Sequence, residues 1–150
     1  MLSGIFPVIP TLFTTTNELD LVAQRRVIRF ALESGAHGVV FPGVASEYSH
    51  LSLAERETLL ALTAEEVGGR VPLVGGASAA SAADVIAAGQ IAMRHGIRHL
   101  MIMAPQGLGT DLAAQQRFFA DIAAGLPGAE IILQNAPVPT GAGLGAEAII

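Results

Sequence analysis

A short, continuously apolar run recurs about every 30 residues along this chain. The runs are GIFPVI from Gly4, GVVF from Gly38, VPLVGG from Val71, HLMIMA from His99 and EIILQN from Glu130. Strands apolar on both faces cannot stand half in water, so they belong to a parallel sheet covered on both sides or closed on itself. Helical patterns fill the gaps. Leu21, Ile28, Ala31 and Leu32 share a face that ends at Gly35. Ser52 and Glu55 form a capping box, each side chain satisfying an orphan amide, ahead of Leu59, Leu60 and Val67. Ser81 with Asp84 repeats the signature before Val85, Ile86 and Met93, and Gly96 stops that helix. Thr110 and Asp111 are both able to cap the segment bearing Phe118, Phe119, Ile122 and Leu126.

The pattern predicts an α/β fold with five parallel strands and four connecting helices. Pro7 and Pro10 weaken the first strand, because proline removes ladder hydrogen bonds. The residues GLGAEAII open a fifth helix and stop after about one turn, too short to stand alone. A closed (β/α)8 barrel takes roughly 250 residues. Residues 1–150 are therefore expected to be the N-terminal part of a single (β/α)8 barrel domain.

Composition narrows the chemistry. All eight basic residues are Arg, so no side-chain amine is available to form a Schiff base within these 150 residues. Without cysteine there is no thiol nucleophile, disulfide or Cys-metal cluster. A net charge of −5 argues against nucleic acid or an acidic lipid surface as partner. The N-terminus lacks a signal peptide's positive charge, and no run approaches the ~18–20 apolar residues of a membrane span. A cytoplasmic protein without a cofactor, binding a small molecule, is the expectation.

Parallel α/β folds bind ligands at the C-terminal ends of their strands. There the stretch VVFPGVASEYSHLSLAERETLL places Gly43, Val44, Ala45, Ser46 and Glu47 between a buried strand and a helix. Such a loop can aim successive N–H groups at an anion; alternatively it is a plain connection with a solvated Glu47. Tyr48, the only tyrosine, either supplies a phenol or packs beside the helix start. His95 and His99 have the spacing of two ligands on one helix, but Gly96 between them predicts that they share no face. His37 and His50 are isolated, Glu65 and Glu66 are expected on a solvated helix end, and GAGLGA at residues 141–146 reads as a turn.

The collinear order GIFPVIPTLF, GVVFPGVASEYSHLSLAER, VPLVGGASAASAADVI and ILQNAPVPTG resembles the dihydrodipicolinate synthase / N-acetylneuraminate lyase family over essentially the whole chain. That resemblance implies a (β/α)8 barrel binding pyruvate or a similar 2-oxo acid as a Schiff base on a sixth-strand lysine, beyond the five strands read here. The family's carboxylate loop, Gly-Thr/Ser-Thr-Gly-Glu, corresponds to Gly43, Val44, Ala45, Ser46 and Glu47. It implies carboxylate contacts from the Ala45 and Ser46 amides and the Ser46 side chain. The proton relay is another matter. Its tyrosine falls on Gln134, its hydroxyl residue on Val44 and its partner tyrosine on Gln106 and Gly107, while Asn135 matches the family's asparagine and, with Gly43 and Glu47, is expected among the substrate-binding residues. The synthases' second-substrate arginine falls on Pro139. An amide has no useful acid or base form near neutral pH, though Gln134 can still orient a water or a carbonyl.

Ordinary dihydrodipicolinate synthesis is thus not expected. The leading reading is a Schiff-base lyase, aldolase or hydro-lyase, on a 2-oxo acid such as pyruvate or a keto-deoxy sugar acid. Two others compete. One is a flavodoxin-like binding or regulatory module, with Thr14, Thr15 and Thr16 cradling a phosphate. The other is a catalytically inactive half-barrel. Unpaired edges at the first and fifth strands also predict a homo-oligomer.

Overall fold

The computed structural model describes residues 2–145 and 149. Four parallel strands form one sheet in sequential order: β1 (Val39–Phe41), β2 (Leu73–Gly76), β3 (His99–Met103) and β4 (Glu130–Gln134). Four helices connect or flank them: α1 (Leu21–Glu33), α2 (Leu53–Val67), α3 (Ala82–Arg94) and α4 (Leu112–Gly125). The register runs Phe41 to Gly75, Gly76 to Met101, and Met103 to Gln134. The four strand ends therefore lie along one edge. The helix start expected within residues 143–150 falls mainly on residues outside the described set.

The expected first strand is reduced to a single bridge, Val8 to Val40. Its amides at Pro7 and Pro10 have no hydrogen, so the bridge rests on Ile9 N–H to Val40 O and Val40 N–H to Pro7 O, both 3.0 Å, with His37 N–H to Ile5 O at 2.9 Å ahead of it. The Gln24 side chain supplies what the ladder lacks. Fully buried on α1, it donates to Pro10 O and accepts from Leu12 N–H, each at 3.0 Å. The caps form at the expected residues, but Ser81 and Asp84 make only half of a box, since the Asp84 carboxylate accepts from the Ser81 hydroxyl and not from its N–H. Ser52 and Glu55 close their box, Ser81 accepts from Asp84 N–H, and Asp111 caps α4 without Thr110.

The core lies between sheet and helices, around Phe41, Leu59, Val85, Leu100, Ile102 and Ile122. The ends of β1 and β2 approach so closely that a methyl on Gly76 would stand 1.7 Å from the Pro42 carbonyl oxygen. The sequential order excludes the flavodoxin-like reading, in which the first strand lies inside the sheet. Nor do Thr14, Thr15 and Thr16 form a cradle. They lie in a closed turn where Thr14 Oγ1 accepts from the Thr16 and Glu18 amides, and Asn17 N–H bonds Thr14 O.

Glu66 corrects the expectation of a solvated helix end; its neighbour Glu65 does lie in solvent, paired with Arg25 at 2.8 Å. Glu66 is 8 % exposed and receives Arg25 at 2.5 Å and Arg29 at 2.7 and 2.9 Å, clamping α1 to α2. Arg70 also donates to its carbonyl. Hydrogen bonds from Arg29 and Arg25 outweigh burial and hold the Glu66 carboxyl down to about 2, from 4.5. A carboxyl depressed in the folded state stabilises above its unfolded value, and that contribution is lost as pH falls from 4.5 to about 2. Glu66→Gln is accordingly expected to cost roughly 1–2 kcal/mol at neutral pH. The difference from wild type should vanish toward pH 2 in chemical denaturation of the full-length protein. A difference independent of pH would show that the clamp acts through packing instead.

Candidate functional site

At the C-terminal edge, β1 runs into Pro42 and then a tight 3-10 turn, Val44–Ser46, capped by Gly43. Gly43 is needed because a Cβ there would meet Val8 Cγ1 at 2.8 Å. Glu47 ends the turn in the left-handed region, at φ 56°, with its side chain in solvent. A second turn, Tyr48–His50, leads to the capped start of α2.

The hydrogen bonds inside this loop decide what it can offer a ligand. Ser46 is fully buried. Its Oγ accepts from Gly43 N–H at 2.9 Å and donates to Ile9 O at 2.6 Å, while its N–H bonds Gly43 O at 2.9 Å. Thr11 Oγ1 donates to Ser46 O at 2.7 Å, and Glu47 N–H bonds Val44 O at 3.0 Å. Neither the Ser46 side chain nor its amide is available to a carboxylate, which corrects the expectation drawn from the family's loop. Among the described residues, the N–H groups of Val44 and Ala45 have no acceptor, and both residues are exposed.

Gln134 ends β4 opposite Met103 on the same edge, and its side-chain amide makes no hydrogen bond among the described residues. Asn135 stands otherwise than expected. Its side chain grips the Leu144 backbone, donating to O and accepting from N–H at 2.8 Å each, so it ties the chain after β4 rather than facing a ligand. Val44 is 48 % exposed and offers only methyl groups at the position to which the resemblance assigns a relay hydroxyl.

A cleft of about 550 Å³ opens beside the loop, with Tyr48, Arg56, Ser78, Gln106, Pro139 and Thr140 in its lining. It gathers Gln106 and Pro139, the positions at which the resemblance replaces a tyrosine and an arginine. The Arg56 guanidinium lies 5.5 Å from the Tyr48 ring centroid, and its Nε donates to Leu51 O at 3.2 Å. Tyr48 is thus half-buried beside the helix start, the packing role weighed from the sequence. The Ser78 hydroxyl accepts from Met103 N–H at 3.0 Å and binds β2 to β3. His95 caps the C-terminus of α3 and His99 lies in β3, so the two share no face.

Parallel strands in sequential order, with β1, β2 and β3 each leading through a βα loop to a helix, define part of a (β/α)8 barrel whose ligand edge carries these loops. The chain supplies about its first five strand positions, the first present as a bridge, and four helices. It belongs to the dihydrodipicolinate synthetase family, whose sequence profile matches residues 1–150. A 4-hydroxy-tetrahydrodipicolinate synthase of Stenotrophomonas maltophilia is 32% identical over 151 residues, covering 99% of this chain and 50% of the relative. An L-2-keto-3-deoxyarabonate dehydratase of Azospirillum brasilense is 41% identical over 71 residues, or 47% of this chain and 23% of the relative. Among solved structures, a prophage protein of the dihydrodipicolinic acid synthase family from E. coli K12, in complex with pyruvate, superposes with a TM-score of 0.86. It is 26% identical, with 93% of this chain and 47% of that one covered. The chain spans about half the length of the full-length curated relatives it matches.

Proposed function

We propose that the full-length protein is a Schiff-base lyase, an aldolase or hydro-lyase, acting on a 2-oxo acid such as pyruvate or a keto-deoxy sugar acid. Family membership supports this reading, and residues 1–150 are on it the N-terminal part of one barrel domain. The observation that carries it is the pair of unclaimed N–H groups at Val44 and Ala45, presented by a loop whose other polar backbone groups are largely paired. Two adjacent amides suit the two oxygens of a carboxylate, and a carboxylate held there orients the neighbouring C2 carbonyl. The attacking amine comes from the part of the relatives' length that this chain does not span. Its nitrogen adds to C2 and water leaves, giving a protonated imine that withdraws electrons from C3. No metal or organic cofactor is required.

Gln134 takes the place of an acid–base group and orients a water or the substrate carbonyl instead. The name of the Azospirillum brasilense relative favours a keto-deoxy sugar acid and loss of water over carbon–carbon condensation. A cytoplasmic homo-oligomer remains part of the proposal, supported by exposed Ile5 and Phe30 beside the bridged segment. Among the described residues, no helix is long and apolar enough to cross a membrane.

Borohydride trapping tests the reading. Full-length protein incubated with pyruvate and reduced should gain one pyruvyl unit on a single lysine. Residues 1–150 should gain none on any internal side chain, for want of Lys. A full-length protein that stays unmodified at saturating pyruvate would sink the proposal.

A further inference from the structure

The loop bearing Val44 and Ala45 is held in shape by groups that touch no ligand. Four buried bonds converge on Ser46: its hydroxyl joins Gly43 N–H to Ile9 O, its N–H meets Gly43 O, and its carbonyl receives Thr11 Oγ1. Thr11 is 6 % exposed and Ser46 is fully buried, so water cannot readily replace these partners. Both outside anchors, Ile9 and Thr11, belong to the proline-weakened first segment. The Val44 and Ala45 amides point free because every neighbouring donor in the turn has been satisfied internally.

We propose that Ser46 and Thr11 are positioning residues that set the two free amides for the substrate carboxylate. This rests on the 2-oxo acid reading above. Thr11 fixes the Ser46 carbonyl, Ser46 fixes Gly43 and Ile9, and the turn between them is preorganised before substrate arrives. Loss of either hydroxyl lets the turn relax and weakens oxo-acid capture, while the distant amine reacts as before once substrate is bound.

The test reads borohydride trapping of full-length protein against pyruvate concentration. Thr11→Val keeps the side-chain shape and removes the donor. It should raise the half-saturating pyruvate concentration about tenfold, with the trapping rate at saturation within about twofold of wild type. Ser46→Ala should raise it further, and Thr11→Ser should restore the wild-type value. Ser52→Ala is the control for stability alone, since it removes the α2 cap and should lower Tm without moving half-saturation. If Ser46→Ala fails to fold, the Thr11 pair decides. Unchanged half-saturation in Thr11→Val, or no rescue by Thr11→Ser, overturns this inference and leaves the lyase reading standing. A wild type that pyruvate cannot label overturns both.

Discussion

Full-length protein given pyruvate and aspartate semialdehyde is expected to form dihydrodipicolinate precursor on the order of 10²–10⁴-fold more slowly than ordinary synthases do. Three positions that the resemblance assigns to a proton relay carry no proton-carrying side chain. Gln134 has an amide, Val44 has methyls, and Gln106 and Gly107 offer no phenol. The second loss is electrostatic. Pro139 lines the cleft at the position that the resemblance gives to an arginine for the second substrate's carboxylate, and proline offers no bidentate charge-assisted contact. Arg56 lines the same cleft but is engaged with Leu51 O and the Tyr48 ring. On the proposed reading all these changes strike condensation, whereas the free amides are left for the oxo acid. Gln134→Tyr alone should therefore not restore synthesis, because a relay needs its partners. A coupled assay showing turnover comparable to ordinary synthases would mean that Gln134 or a water carries the proton after all.

A second large effect is expected at Gly76. Its added methyl would fall 1.7 Å from the Pro42 carbonyl oxygen, a backbone atom that cannot rotate aside as a side chain can. Pro42 is itself buried between β1 and the loop, so relief requires the ends of β1 and β2 to part. Gly76→Ala should cost about 3 kcal/mol or more, or abolish soluble expression. Gly107→Ala is the matched control, since nothing lies within 4 Å of the added atom, and it should stay within about 0.5 kcal/mol. Equal stability of the two variants in denaturant titrations would refute the close approach of β1 and β2.

Local signals carried the architecture, and distant partners hid the rest. The caps at Ser52, Ser81 and Asp111 act within three residues, so spacing alone revealed them. The weakening of the first strand was legible at Pro7 and Pro10, but the remedy at Gln24 was not. A polar residue on α1 gives no sign that it reaches back to Pro10 and Leu12. Glu66 looked like half of a solvated acidic pair because its arginines lie 37 and 41 residues away on another helix. The site shows the same division. The position of residues 43–47 at the strand ends followed from the pattern, whereas the inward turn of Ser46 depends on Ile9, again 37 residues off. The tie made by Asn135 was hidden for a related reason, since its partner Leu144 lies in irregular chain without periodicity.

The Arg25, Arg29 and Glu66 clamp ties the C-terminal half of α2 to α1, at the end of the barrel away from the loops that carry the site. Two tasks are thereby kept on opposite poles of one molecule. The altered positions at Val44, Gln106, Gln134 and Pro139 all fall on the loop pole, where none of them takes part in the clamp. A lineage could exchange one reaction for another there, residue by residue, while the opposite pole went on holding the helices in register. The scaffold's freedom to drift in chemistry is, in this sense, underwritten by a carboxylate held between two helices by arginines.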